Sequence, residues 1–372
     1  MLKYISLFSG IGAFEKALFN IGVPYELINY CEIDKYASKA YSLIHHIPES
    51  KNLWDITKVD ETTLPSDVDL ITYGFPCQDI SIAGKKRGFV GEDGKKTRSG
   101  LFFDALRIIE HCKPKVAIAE NVKNLASKSM KGIFDIVLNS LNEAGYNCYW
   151  KVMNAADYGI PQSRERVIIV SIRKDIDNGS FQFPDPIQLT RCLADMLEDD
   201  VPEAFYLSED KTRSVISHND KHPGHIADRG GICPTLLSRD CKDPKVIIVP
   251  MKIIQAADLN HYGNDQMNRI YSPEGLAPTL KTVSGGGGRE VKIEDNGRYR
   301  KLTPKEYFRL MGFTDSDYEV LASNGISKTQ IYKMAGNSIA VTMLEHLFRK
   351  LYPDTSRIDT LKAQSLDILR KL

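Results

Sequence analysis

LKYISLFSGIGAFEKALFNIG, residues Leu2 to Gly22, joins two different periodicities across a pair of glycines. Leu2–Phe8 is a short, mostly apolar run of the kind that forms a buried strand. Ala13, Ala17, Leu18 and Ile21 then recur at helical spacing, and Gly22 supplies a stop. Strand, glycine turn and helix make the opening unit of an α/β fold. In such a fold the turn holds backbone N–H groups beside a ligand at the carboxyl edge of the sheet.

The rhythm continues outward. Strand-like Glu26–Cys31, Val68–Tyr73, Val116–Ala119, Cys148–Met153 and Val167–Ile172 are interspersed with helix-like Lys35–Ile44, Leu101–His111 and Ile133–Ala144. This predicts a parallel sheet covered by helices on both faces. At Phe183-Pro-Asp-Pro186 the rhythm breaks, and as far as Gly297 the chain is rich in Gly, Pro, Asp and Asn. Here GICPTLLSRD (Gly231–Asp240) is echoed by GLAPTLKTVS (Gly275–Ser284), each copy followed by a β-like piece, Val246–Val249 or Val291–Ile293. Two copies are too few for a solenoid and read as related loop-and-strand units of a small domain. After Tyr299 helical patterning returns: GNSIAVTMLEHLFRKLY reads as a helix from Ser338, and Leu361, Leu366, Leu369 and Leu372 mark a terminal helix. The expected organisation is a catalytic, cofactor-binding domain over 1–185, completed by 325–372, and a small, mostly β domain over 186–324.

Composition narrows the class. The chain has 372 residues, a net charge of +1 and seven scattered cysteines with no C-x-x-C pair. A nucleic-acid surface must therefore be a local patch, and a reducing cytosol suits the thiols better than a disulfide framework or a zinc ribbon. His218, His222 and His225, with Cys233 and Cys241, match no familiar finger spacing, so no metal is expected. No apolar run reaches the roughly 18 residues of a membrane span, and the N-terminus lacks the features of a signal peptide.

The strand ends carry the chemistry. The first turn has no third glycine, because Glu15 stands in its place, and no Lys-Ser/Thr pair, so it fits a nucleoside-type ligand without a pyrophosphate. Glu32 closes the second strand, where an acid can hold ribose hydroxyls or can simply cap a helix. Asp55 stands where a third strand would end. In GFPCQDIS (Gly74–Ser81) a lone cysteine, Cys77, follows a strand and sits in a polar loop, a place for a nucleophile rather than for a core thiol. After it, GKKRGFVGEDGKKTRSG combines glycines with Lys85, Lys86, Arg87, Lys95, Lys96 and Arg98, which suits a basic lid over phosphates. Glu120-Asn121 ends a further strand. Arg164 and Arg166, at i and i+2, should point the same way from an extended backbone.

In this order, FSGIGAFEKAL, GFPCQDIS, AENV, ADYGIPQSRERV, RKLTPKEYFRLMGF and MAGNSIAV resemble the blocks of the DNA cytosine-5 methyltransferases of bacterial and phage restriction-modification type. The resemblance implies a class I Rossmann-like, S-adenosylmethionine-dependent fold with a target-recognition domain. It implies Cys77 as nucleophile toward carbon 6 of a flipped-out cytosine, Glu120 at ring N3, and Arg164 and Arg166 at the base O2 and nearby backbone. Phe8, Gly10, Ile11, Gly12, Glu32, Ile33, Asp55, Ile56, Pro76, Asn337 and Ser338 would form the S-adenosyl-L-methionine pocket. Gln78, Ser81, Lys85, Lys86, Arg87, Arg98, Thr279 and Leu280 would meet DNA. Thr279 is read as rigidly held, because it leads into the RKLTPKEYFRLMGF block, and its echo Thr235 as adaptable. The implied partners are double-stranded DNA and, in a restriction-modification system, a cognate restriction endonuclease; a cytoplasmic monomer acting on DNA, away from membranes, is expected. Two rivals remain. A tRNA methyltransferase of the same family would carry a Cys-Phe-Thr signature, which is absent, and an inactive DNA-binding paralogue would be expected to have lost the cysteine or the acid.

Overall fold

The computed structural model describes residues 1–76, 98–206, 233–236, 255–258, 269–271, 292–295 and 298–353. These fall into two compact units. The first takes in Met1–Met153, Glu165–Asp185 and the chain from Leu344; the second takes in Asn154–Arg164 and Pro186–Met343. The contacts therefore group residues 154–164 and 325–343, which the sequence reading placed with the catalytic portion, in the second unit.

The first unit opens with β1 (Leu2–Leu7), α1 (Ala13–Asn20), β2 (Tyr25–Cys31) and α2 (Lys35–His45). It continues with β3 (Leu70–Tyr73), α3 (Phe102–Cys112), β4 (Val116–Val122), α4 (Lys131–Glu143) and β5 (Tyr146–Asn154). After β6 (Gln162–Ser163) in the second unit comes β7 (Glu165–Arg173). The sheet order is β2-β1-β3-β4-β7-β5. Tyr4 to Leu7 are all buried, as expected of a strand covered on both faces. Ile5, Leu7, Ile71, Tyr73, Ala117 and Ala119 face α3 and α4, which bring Phe102, Ile108, Ile109, Phe134, Val137 and Leu141 into the same core. On the opposite face Tyr4 reaches Glu15 of α1, and Phe348 of the closing helix Val341–Leu351 meets Phe14 at 6.2 Å between ring centroids.

Three expectations are corrected. Strands β2, β1, β3 and β4 are parallel, but β7 is antiparallel to β4. The chain between β5 and β7 contains no α-helix, and a parallel return needs a long crossover. No strand ends at Asp55: only an isolated bridge, Tyr30 to Asn52, touches the sheet there. The helix expected from Ser338 begins at Val341 instead, because helix Lys328–Asn337 ends first and Ser338 is extended.

In the second unit, helix Pro304–Leu310 starts from a capping box. Thr303 and Glu306 exchange side-chain-to-backbone hydrogen bonds, and Pro304 fills the first helical turn. Phe308, Leu310, Met311, Leu321 and Ile331 form its buried interior. The described β pieces are short: Gln255–Asp258 with Arg269–Tyr271 and Lys292–Asp295 with Arg298–Lys301 pair antiparallel, and β6 pairs parallel with Cys233–Pro234.

Candidate active site

The sheet register lines up the strand ends. Leu7 lies beside Cys31 on one side and Tyr73 on the other, and Tyr73 lies beside Ala119. The next residues of those strands, Phe8, Glu32, Gly74 and Glu120, therefore emerge along one edge. The strand order reverses at β1 and β3, which is where an open α/β sheet makes its ligand crevice.

At the β3–β4 end, Glu120 Oε1 is 2.9 Å from Arg166 Nε, with the two side chains only 14 % and 9 % exposed. Burial lowers the pKa of Arg166 from its ordinary value, and the Glu120 carboxylate works against that shift. A Cβ on Gly74 would stand 3.5 Å from Glu120 Oε2, so the backbone of β3 passes close to the acid. Asn121 Nδ2 donates to Phe75 O at 3.0 Å and so ties the chain that leads through Pro76 to Cys77. Cys77, Gln78, Ser81, Lys85, Lys86, Arg87, Thr279 and Leu280 lie outside the described residues, as do His218, His222, His225, Cys241 and the tail beyond residue 353; of Arg98 only the backbone is described.

Arg164 and Arg166 have separate sets of partners. The strand is interrupted between β6 and β7, and Arg164 is held within the second unit. Its guanidinium donates to Leu236 O at 2.6 Å, to Gly336 O at 3.1 Å and to Ser338 O, and the residue is 1 % exposed. A rigid fork suits this three-carbonyl task. Arg166, in the first unit, pairs with Glu120 and donates to Glu165 O at 2.8 Å. The adaptable reading of the first Pro-Thr-Leu copy fails. Leu236 is fully buried and its N–H donates to Gln162 Oε1 at 3.0 Å, while Thr235 Oγ1 donates to Ser163 O at 3.1 Å.

At the β1–β2 end, Phe8, Gly10 and Gly12 have φ of 53°, 56° and 78°. Gly10 N donates to Glu32 Oε2 at 2.9 Å, and Glu32 Oε1 accepts from Asp34 N at 2.7 Å. Asp34, not Glu32, caps α2, with bonds from Tyr36 N and Ala37 N. Asp55 caps the turn Ile56–Lys58 by accepting from Thr57, and Ile56 beneath it is buried. Asn52, which nothing in the sequence singled out, joins these pieces. Its Oδ1 accepts from Glu32 N and Trp54 N, and its Nδ2 donates to Glu32 O and Ser38 Oγ. Among the described residues no atom lies within 4 Å of where a Cβ on Gly10 would stand, and Ile33 is 70 % exposed beside Glu32. An open cradle, an apolar surface and an acid suit a nucleoside such as that of S-adenosylmethionine. Asn337 and Ser338 belong to the second unit, at the end of helix Lys328–Asn337.

Among the described residues no cluster of His, Cys, Asp and Glu is placed to hold a metal ion, and no helix is long and apolar enough to cross a membrane.

A family model described as C-5 cytosine-specific DNA methylase matches residues 2–353. The chain is 38 % identical to the type II methyltransferase M.HhaI of Haemophilus parahaemolyticus, with 93 % of each chain covered. It is 34 % identical to the orphan methyltransferase M.SPBetaI of Bacillus phage SPbeta, with 94 % of this chain and 97 % of that one covered. The S. pombe Dnmt2 methyltransferase structure shares the fold, with a TM-score of 0.64 at 20 % identity over 94 % of this chain and 98 % of that one. The protein belongs to the C-5 cytosine-specific DNA methylase family.

Proposed function

We propose that the protein methylates carbon 5 of a flipped-out cytosine in a specific double-stranded DNA site, through a covalent bond between Cys77 and carbon 6. Bound S-adenosylmethionine supplies an electrophilic methyl on a positively charged sulfur. Cys77 thiolate adds to carbon 6. Glu120 hydrogen-bonds or protonates ring N3, which turns the ring into an enamine with a nucleophilic carbon 5. After methyl transfer carbon 5 gives up its proton to water, N3 returns its hydrogen to Glu120, and the carbon 6–sulfur bond breaks to release the thiolate. Arg166 orients Glu120 and reaches toward the base O2, and the target must leave the duplex to meet these groups. Phe8, Gly10, Ile11 and Gly12 form the cofactor turn, with Glu32 on the ribose, Ile33 and Ile56 against the adenine, and Asp55 near its amine. Arg164 is reassigned from the base to holding the strand that leads to Arg166.

The observation that carries this reading is the buried Glu120–Arg166 pair beside the strand that leads into Gly74, with Asn121 tethering the backbone two residues before Cys77. Bisulfite sequencing of DNA from cells expressing the protein identifies the site. A duplex with 5-fluorocytosine at that site, mixed with protein and S-adenosylmethionine, should give a shifted band on a denaturing gel, because fluorine cannot leave as a proton would. No band with the wild type, on a site proven to be methylated, would overturn the covalent mechanism. In living cells a cognate restriction endonuclease would make the methylation protective. Deleting the methyltransferase gene would then be lethal only where that nuclease is present.

A further inference from the structure

We propose that His45 is a positioning residue for the cofactor turn, holding the peptide between Ile11 and Gly12 from behind. The inference rests on the reading of Phe8–Gly12 as that turn. His45 is the last residue of α2, and its Nε2 is 3.0 Å from Ile11 O. A carbonyl only accepts, so Nε2 carries the hydrogen in this bond. The ring is braced on Tyr41, with centroids 4.8 Å apart. Tyr41 in turn stacks on Tyr30 at 4.1 Å and donates its hydroxyl to the buried Glu15 at 2.9 Å. Burial, and then the charge of Glu15, push the Tyr41 hydroxyl well above its ordinary pKa, so it stays a donor.

The two glycines of the turn consequently do different work. Both have positive φ, but no described residue comes within 4 Å of a Cβ on Gly10, whereas a Cβ on Gly12 would lie 2.1 Å from His45 Nε2 and 2.7 Å from its Cδ2. Gly12 is bare because imidazole occupies the room of its side chain. The turn places three left-handed residues within five, one of them Phe8, and such a backbone persists only where its surroundings over-determine it. The His45 bond is one of those restraints: with its carbonyl on His45 and its N–H donating to Ser9 O at 2.9 Å, the Ile11–Gly12 peptide is fixed at both ends and so fixes the turn that carries Gly10.

The test is calorimetric titration of the full-length protein with S-adenosylhomocysteine, alongside thermal melting and kinetics. His45→Phe keeps the ring shape and loses the donor. It should weaken binding about tenfold, equivalent to about 1.4 kcal/mol, and raise KM for the cofactor more than it lowers kcat. His45→Gln, which restores an N–H, should recover most of the affinity. Gly12→Ala should weaken binding on its own but do less further harm in a His45→Ala background, where the clash is gone. Unchanged affinity in His45→Phe, or a lowered melting temperature with unchanged affinity, would overturn the proposal. Failure of the wild type to bind would instead strike at the proposed function.

Discussion

Arg166 Nε and Glu120 Oε1 stand 2.9 Å apart across the antiparallel pair β4–β7, almost wholly out of solvent. The pair makes a carboxylate that is oriented before any base arrives. Glu120→Gln keeps an oxygen for Arg166 and removes the acid, so it should lower the single-turnover methylation rate by about 10²–10⁴-fold with a small change in melting temperature. Glu120→Ala leaves a buried guanidinium without its carboxylate and should cost about 3–5 kcal/mol of stability as well. Wild-type turnover in Glu120→Gln would remove Glu120 from the chemistry.

The two arginines should separate cleanly on mutation. Arg164→Lys exchanges a fork that meets three carbonyls for a single ammonium, so chemical denaturation should reveal a loss of about 1.5–3 kcal/mol. Its rate per folded molecule should fall less than that of Arg166→Lys. The opposite ranking of rates would return Arg164 to the reaction site.

Asn121 holds Phe75 O and no residue of the reaction directly. Asn121→Ala should reduce stability by about one net hydrogen bond, about 1 kcal/mol. It should also slow trapping on 5-fluorocytosine DNA, measured as band formation against time, because the chain entering Cys77 loses its tether. Equal trapping rates for mutant and wild type would show the tether to be dispensable.

Burial first, and then neighbouring acids, push the thiols of Cys31 and Cys112 up to about 12. A raised thiol pKa means less thiolate at any pH below it, and Cys31 Sγ lies 3.2 Å from Trp54 O, as a protonated donor would. Treatment of the folded protein with N-ethylmaleimide at pH 7.5, followed by peptide mapping, should leave both unlabelled until denaturant is added. Early labelling of Cys31 would contradict its burial beneath the candidate nucleoside site.

The order of strands and helices was legible in the sequence because each depends on neighbours along the chain. Buried parallel strands read as short apolar runs, Gly22 stops α1 with a φ of 76°, and the Thr303–Glu306 capping box is spaced within one turn. The residues at the strand ends were legible for the same reason, since the parallel register carries Phe8, Glu32, Gly74 and Glu120 to one edge once the strands are identified. The tertiary structure alone decided the direction of β7, the absence of a strand before Asp55, and the hydrogen-bond partners of Arg164, His45, Asn52 and Asn121. Each of these rests on a hydrogen bond or pairing between distant parts of the chain: Gly336 with Arg164, Phe75 with Asn121, Ile11 with His45. Local periodicity records which side of an element is buried. It does not record which carbonyl, brought near by folding, a buried donor will find.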